Sequence, residues 1–162
     1  MTEQLLVRDV MRIGVPTCKL EDAVDAVAAQ MLTENTTALV VLDEEGHTAG
    51  WINERALADA YRRIVEAGEG AAAALTAEQI MIGPAPELPV DVPLTAAIQL
   101  MADQGVDHLF FLHRAGGRAW PASVLSLRDA VRALAGPEYI QQQGAGAPRP
   151  NAMDLFRQRY KR

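Results

Sequence analysis

The apolar stretch Leu39-Val40-Val41-Leu42 runs into the turn Asp43-Glu44-Glu45-Gly46, and 70 residues later Leu109-Phe110-Phe111-Leu112 runs into Arg114-Ala115-Gly116-Gly117. The match extends outward from that pair. Val10-Met11 falls on Ile80-Met81, Pro16 on Pro86, Leu20 on Val90, Val24 on Leu94 and Met31 on Met101. Apolar positions and the turn glycine recur while surface residues differ, so what is shared is a packing pattern. Fixed-period self-similarity sets architecture before any local feature does. Two copies are too few for a solenoid and predict a closed, pseudo-symmetric pair.

Each copy carries the same order of elements. In the first, Val15–Cys18 is a short extended segment, followed by a helix over about 22–35 with Leu20, Val24, Val27 and Met31 on one face. Residues 37–42 are rich in β-formers, and 48–52 return as the second arm of a hairpin. Asn53 is placed to cap a helix to about Ala67. In the second copy Asp91 is the expected cap, with Pro93 in the first helical turn. Strands over 108–112 and 118–125 follow, then a helix over 126–135. The second hairpin is three residues longer, so Asn53 aligns with Ser126 at an offset of 73. The expected fold is therefore α+β: two β-α-β-β-α repeats packed sheet to sheet with pseudo-two-fold symmetry. The expected boundaries are a first motif at 5–67, a linker at 68–76 and a second motif at 77–136. A flexible linker with a short basic amphipathic helix fills 137–162.

Composition narrows the function. The 162 residues are 49% hydrophobic and 22% charged, which is globular, and apolar runs stop at about six residues, too short to span a membrane. No basic region followed by an apolar stretch opens the chain, so no secretion signal is expected. The single cysteine, Cys18, excludes an internal disulfide and fits a reducing cytoplasm. It reads as a small buried strand residue, not a nucleophile. The net charge of −6 is unevenly placed. From Arg149 onward five basic residues face one acid, giving +4, while residues 1–148 carry 10 basic against 20 acidic groups, or −10. An acidic body does not hold nucleic acid by a diffuse field. Nucleic-acid binding is not expected; the basic tail alone has the charge for it.

No catalytic pattern is present. His47, His108 and His113 are not at metal-ligand spacing, and there is no phosphate-cradling glycine loop or nucleophile turn. Gly144-Ala145-Gly146 sits in a Pro/Gln/Gly segment and is linker composition. The chain is read as a non-enzyme needing no metal and no cofactor.

The repeated pattern resembles the CBS domain, the cystathionine-β-synthase-type motif that occurs in tandem as a Bateman module. The resemblance rests on the openings Asp9-Val10-Met11 and Gln79-Ile80-Met81, the proline-bearing strands and the helices ending near Met31 and Met101. It rests also on the Leu-x-x-Leu strands before glycine turns, and on the strand-to-helix junctions Gly50-Trp51-Ile52-Asn53 and Val124-Leu125-Ser126-Leu127-Arg128-Asp129. It covers residues of about 5–135. The resemblance implies clefts that in many members bind AMP, ADP, ATP or S-adenosylmethionine. It also implies a Ser/Thr three residues before an Asp, with the Asp accepting from both ribose hydroxyls. The Ser or Thr and the helix N-terminus face the first phosphate, where N–H groups and the dipole favour an anion.

The second repeat matches this pattern with Ser126-Leu127-Arg128-Asp129; the first has Asn53-Glu54-Arg55-Ala56 and lacks the acid. A basic residue often precedes the middle-strand Leu in adenylate-sensing members, and here it is His108 in the second repeat but Ala38 in the first. One competent site is expected. It comprises Asp129, Ser126, His108 and Arg128, with adenine against Pro84, Ala85 and Pro86. Other readings stand beside each choice. Ser-x-x-Asp before an apolar run is also a capping box needing no ligand, Arg128 also fits a solvated arginine, and Trp51 and Trp120 fit sheet packing better than base stacking. A His108 that meets phosphate predicts tighter binding as pH falls through about 6.5. Asp129→Ala is expected to abolish binding with the fold intact.

Two functions compete. One is a regulatory sensor of an adenosine ligand acting through a homodimer or a separate regulated protein. The other is a ligand-free dimerisation scaffold with degenerate sites. The tail, with Met153, Phe156 and Tyr160 spaced three and four apart, fits docking on the acidic body of its own or a partner subunit, another protein or RNA, or a solvated end.

Overall fold

A computed structural model of the protein describes residues 4–141; the expected tail helix lies outside the described residues. The elements in chain order are α1 (Val7–Val10), β1 (Arg12–Ile13), β2 (Thr17–Lys19), α2 (Val24–Thr33), β3 (Ala38–Leu42), β4 (Thr48–Asn53) and α3 (Glu54–Ala67). After them come α4 (Ala71–Ala74), α5 (Ala77–Ile80), α6 (Leu94–Gln104), β5 (His108–Ala115), β6 (Arg118–Ser126), α7 (Leu127–Ala135) and α8 (Pro137–Gln141). The α+β class is as the repeat predicts, with two three-stranded sheets. Short helices occupy two places read from sequence as linker, 71–74 and 137–141.

The chain divides into two compact units. One holds residues 16–85 and 114–120, the other 4–15, 86–113 and 121–141 among the described residues. In the first unit, β2 runs parallel to β3 with Cys18 opposite Val41, and β3 runs antiparallel to β4 with Val40 opposite Trp51. In the second unit, the sheet order is β1-β6-β5, and Arg12 and Ile13 of β1 pair antiparallel with Val124 and Ser123. Residues Glu87 and Leu88 run alongside Phe110, which donates its N–H to Pro86 at 2.8 Å and accepts from Leu88 at 2.9 Å.

The compact units are not the contiguous repeats. Ile82 of the second repeat pairs with Trp51 of the first by N–H to O=C bonds of 2.8 and 3.2 Å, just as Arg12 pairs with Val124. Each repeat therefore sends its opening helix and the residues after it to the sheet of the other. The cores show the same exchange. Val10 lies in the cluster with Leu94, Ala97, Met101, Leu109 and Leu125, whereas its counterpart Ile80 lies with Val24, Val27, Met31, Leu39 and Ile52.

Local choices support these elements. Val24, Val27 and Met31 are the buried residues of α2, and Leu94, Ala97 and Met101 are those of α6, in the same i, i+3, i+7 rhythm. Both helices end on a left-handed residue, Asn35 (φ 48°) and Gly105 (φ 65°). The next amide then reaches back, Thr36 to Met31 and Val106 to Met101, each at 3.0 Å. Asparagine and glycine are the residues that tolerate that conformation at a helix end. Asn53 caps α3 as read, accepting from Ala56 N–H at 2.9 Å. Pro93 occupies the cap position of α6, not its first turn, and Asp91 instead pairs with Arg8.

Cys18 is 5% exposed within the first unit's core. Burial pushes its thiol from 9.0 up to about 12, with the negative charge of Asp22 adding to the effect. The folded state thus holds the thiol proton more tightly than the unfolded chain, so this stability is complete below pH 9.0 and is lost as pH rises toward about 12. Native protein at pH 8 is expected to resist iodoacetamide and to react once unfolded in urea. Over the alkaline range it should lose more stability than Cys18→Ala; equal slopes, or rapid native alkylation, would contradict the buried thiol.

Candidate functional site

Five of the seven residues singled out in the second repeat, Pro86, His108, Ser126, Arg128 and Asp129, fall in one unit, with His108 and Ser126 at the end of the sheet where β5 begins and β6 ends. β5 and β6 are neighbouring strands of a hairpin, so His108 and Ser126 stand at the same end, and Leu127 donates its N–H to Asp107 O at 3.2 Å. Pro86 is held there by its bond from Phe110. Asp129 sits one turn into α7 and is 3% exposed. Arg128 is exposed beside it. Pro84 is exposed and Ala85 buried, and both fall in the other compact unit.

Both oxygens of Asp129 are engaged locally. Its Oδ2 accepts from the Ser126 N–H at 2.8 Å and from the Ser126 hydroxyl at 3.1 Å, and its Oδ1 accepts from Arg132 Nη1 at 2.8 Å. Ser126 and Asp129 thus form the capping box that the spacing alone suggests. The carboxylate is desolvated and anchored by Arg132, which is itself about one-third exposed. A diol reaching Oδ1 has to share that oxygen with Arg132 or move the guanidinium aside. Sequence reading missed Arg132, although its i, i+3 relation to Asp129 on a helix was visible.

His108 is 4% exposed, with Nδ1 2.8 Å from Asp107 Oδ1 and its ring stacked on Phe110 at 6.5 Å and 20°. The ring is therefore positioned by a carboxylate on one nitrogen and by packing on its face. Sequence reading also passed over Asp107. In the first repeat the corresponding positions are Ala38, buried at 1%, and Ala56, whose backbone amide takes the Asn53 cap. The helix cap survives there without the carboxylate. Trp51 is 2% exposed in the first unit's sheet, as packing requires.

A hollow of about 210 Å³ lies on the other unit, lined by α3 residues including Arg55, Asp59 and Arg63 and by Gln79 and Ile82. None of the sequence-predicted site residues lines it. Among the described residues there is no cluster of three or more His, Cys, Asp or Glu side chains able to hold a metal ion. Among them, too, no helix is long and apolar enough to cross a membrane.

The family profile described as CBS domain matches this chain twice, at residues 7–63 and 77–136. The protein belongs to the CBS domain family. Solved structures share the fold at low sequence identity. A conserved protein from Pyrococcus horikoshii superposes with a TM-score of 0.65 at 20% identity, covering 83% of this chain and 95% of its own. A CBS-domain containing protein from Agrobacterium tumefaciens also gives a TM-score of 0.65 at 20% identity, with 80% and 92% coverage. The CBS domain pair of protein MJ0100, solved with 5′-methylthioadenosine and S-adenosyl-L-methionine, gives a TM-score of 0.62 at 18% identity, with 80% and 99% coverage. Comparison with curated protein sequences found no match.

Proposed function

We propose that this protein is a regulatory sensor that binds one adenosine-containing ligand at its second repeat and carries no catalytic activity. The observation behind this reading is the contrast between repeats: His108 and Asp129 are buried polar groups at the sheet end, where the first repeat has Ala38 and Ala56. The bound ligands of the MJ0100 pair support the adenosine class, AMP, ADP, ATP or S-adenosylmethionine. Asp129 would take the ribose hydroxyls, Ser126 and the α7 N-terminus the first phosphate with Arg128 and His108 beside them, and Pro86 of the same unit the adenine. Two bonds to one carboxylate are worth roughly 2–4 kcal/mol, on the order of 30- to 1,000-fold in affinity. Binding would then change contacts with a second copy or a separate regulated protein.

The occupied capping box favours a second reading, a ligand-free scaffold in which Asp129 only terminates a helix. Thermal unfolding with each of the four ligands separates the two. At 100 times its dissociation constant a ligand adds about 2.7 kcal/mol to the folded state that binds it. A rise in midpoint with one of the four is the expected result; four flat curves at millimolar ligand would leave the scaffold.

A further inference from the structure

Asp129, the acid proposed for the ribose diol, has one oxygen in a helix cap and the other under a guanidinium. Oδ2 serves the Ser126 N–H and hydroxyl, the bonds that cap α7. Oδ1 is left for a ligand, and Arg132 Nη1 lies on it at 2.8 Å. The Asp129 side chain is 4% exposed and that of Arg132 32%. Asp129 is fixed by the cap, whereas Arg132 reaches it through a flexible stem and can swing into water with no change of backbone. An i, i+3 ion pair on a helix is ordinary, and exposed ones add little stability. Two observations set this pair apart. Its acid is buried. In addition, neither member recurs in the first repeat, where the positions 73 residues earlier hold Ala56 and Asp59. There α3 and α5 leave a hollow of about 210 Å³ that both of those residues line. Asp129 and Arg132 therefore stand at the two positions that border an opening in the other repeat.

We propose that Arg132 is an autoinhibitory latch on the second-repeat site, closed over Asp129 until a ribose diol displaces it. The latch rests on the reading of Asp129 as the ribose-binding group. A vicinal diol needs both hydroxyls on the carboxylate, and a side chain 4% exposed with a cation across Oδ1 does not admit them. The diol therefore binds only molecules in which Arg132 has swung away, and apparent affinity is reduced by the fraction of molecules in that state. A latch open about one-tenth of the time weakens binding about tenfold. The exchange keeps the acid paired throughout, as a buried carboxylate requires. It trades a charge-assisted bond from a guanidinium for two bonds from hydroxyls, while the freed guanidinium takes up water. The latch thus sets the ligand concentration at which the site fills, and it favours an intact ribose over a sugar with a single hydroxyl to offer.

Adenosine offers the diol without a charge. It is titrated calorimetrically, alongside AMP, ADP, ATP and S-adenosylmethionine, into the full chain and its Arg132→Met and Arg132→Gln variants, two side chains that suit a helix. Adenosine affinity is expected to rise about tenfold in both variants. In the wild type it should also rise as salt goes from about 0.05 to 0.5 M, because salt weakens the ion pair and leaves an uncharged ligand untouched. The variants should be flat over the same range, a contrast that a merely structural arginine would not produce. Binding by the variants alone would support the latch as well. Wild-type binding with equal or weaker affinity in both variants, or an equal salt response in all three proteins, would overturn the latch and leave the sensor reading standing. No binding of any of the five ligands by any of the three proteins would remove both.

Discussion

Replacing Gly50 by alanine is expected to destabilise the protein by about 3 kcal/mol. A Cβ at this β4 position would sit 2.5 Å from the carbonyl oxygen of Ile82 and 2.9 Å from Met81 Sδ. The methionine can turn away, but the carbonyl cannot, because Ile82 is bonded at both its N–H and its O to Trp51. Relief requires opening that bridge, which is the contact by which the second repeat's opening segment joins the first repeat's sheet. For a protein of this size the cost corresponds to a fall in midpoint of about 6–12 °C. Gly83→Ala is the control: nothing lies within 4 Å of its added carbon, so it should be neutral or slightly stabilising. Denaturant unfolding of the two variants measures the contrast. Equal midpoints for Gly50→Ala and wild type would show that Ile82 does not approach β4 as described.

Asp129 should show two separable losses. Removing its carboxylate in Asp129→Ala strips the acceptor from the Ser126 amide and hydroxyl and from Arg132 at a position 3% exposed. A buried cap and a charged hydrogen bond together are worth about 2–4 kcal/mol. The sequence-level expectation of an untouched fold therefore gives way to a marked loss of stability. Asp129→Asn retains a side-chain oxygen for the Ser126 amide, and its cost should be about half as large. Titration calorimetry well below both midpoints, with whichever ligand raises the wild-type midpoint, should find affinity down by 30-fold or more in both variants. Wild-type affinity in Asp129→Asn would confine Asp129 to capping α7 and remove it from the ligand site.

Much of this protein is legible in its amino-acid sequence. The Leu39–Leu42 and Leu109–Leu112 runs, the turn glycines and the helix faces through Met31 and Met101 follow from side-chain periodicity, which local sequence encodes directly. The Asn53 cap and the capping box at Ser126 were legible for the same reason, since a cap needs only neighbours within one turn. Pro93 sits at the cap itself, one position before the first helical turn that the sequence pattern suggests, and Asp91, a cap by local pattern, pairs with Arg8 83 residues away. Nothing local signals that partner.

The amino-acid order on its own determined the two repeats, the kind and sequence of their elements, and the difference between them at Ala38/His108 and Ala56/Asp129. Only tertiary structure decided which opening helix serves which core, because Val10 and Ile80 are equivalent in pattern and interchangeable in hydrophobicity, and pairing across some 110 residues leaves no periodic trace. It also decided that Asp129 is engaged through both oxygens. The spacing Ser126-x-x-Asp129 allows a free carboxylate or a bound one, and the approach of Arg132 in a desolvated turn selects the second.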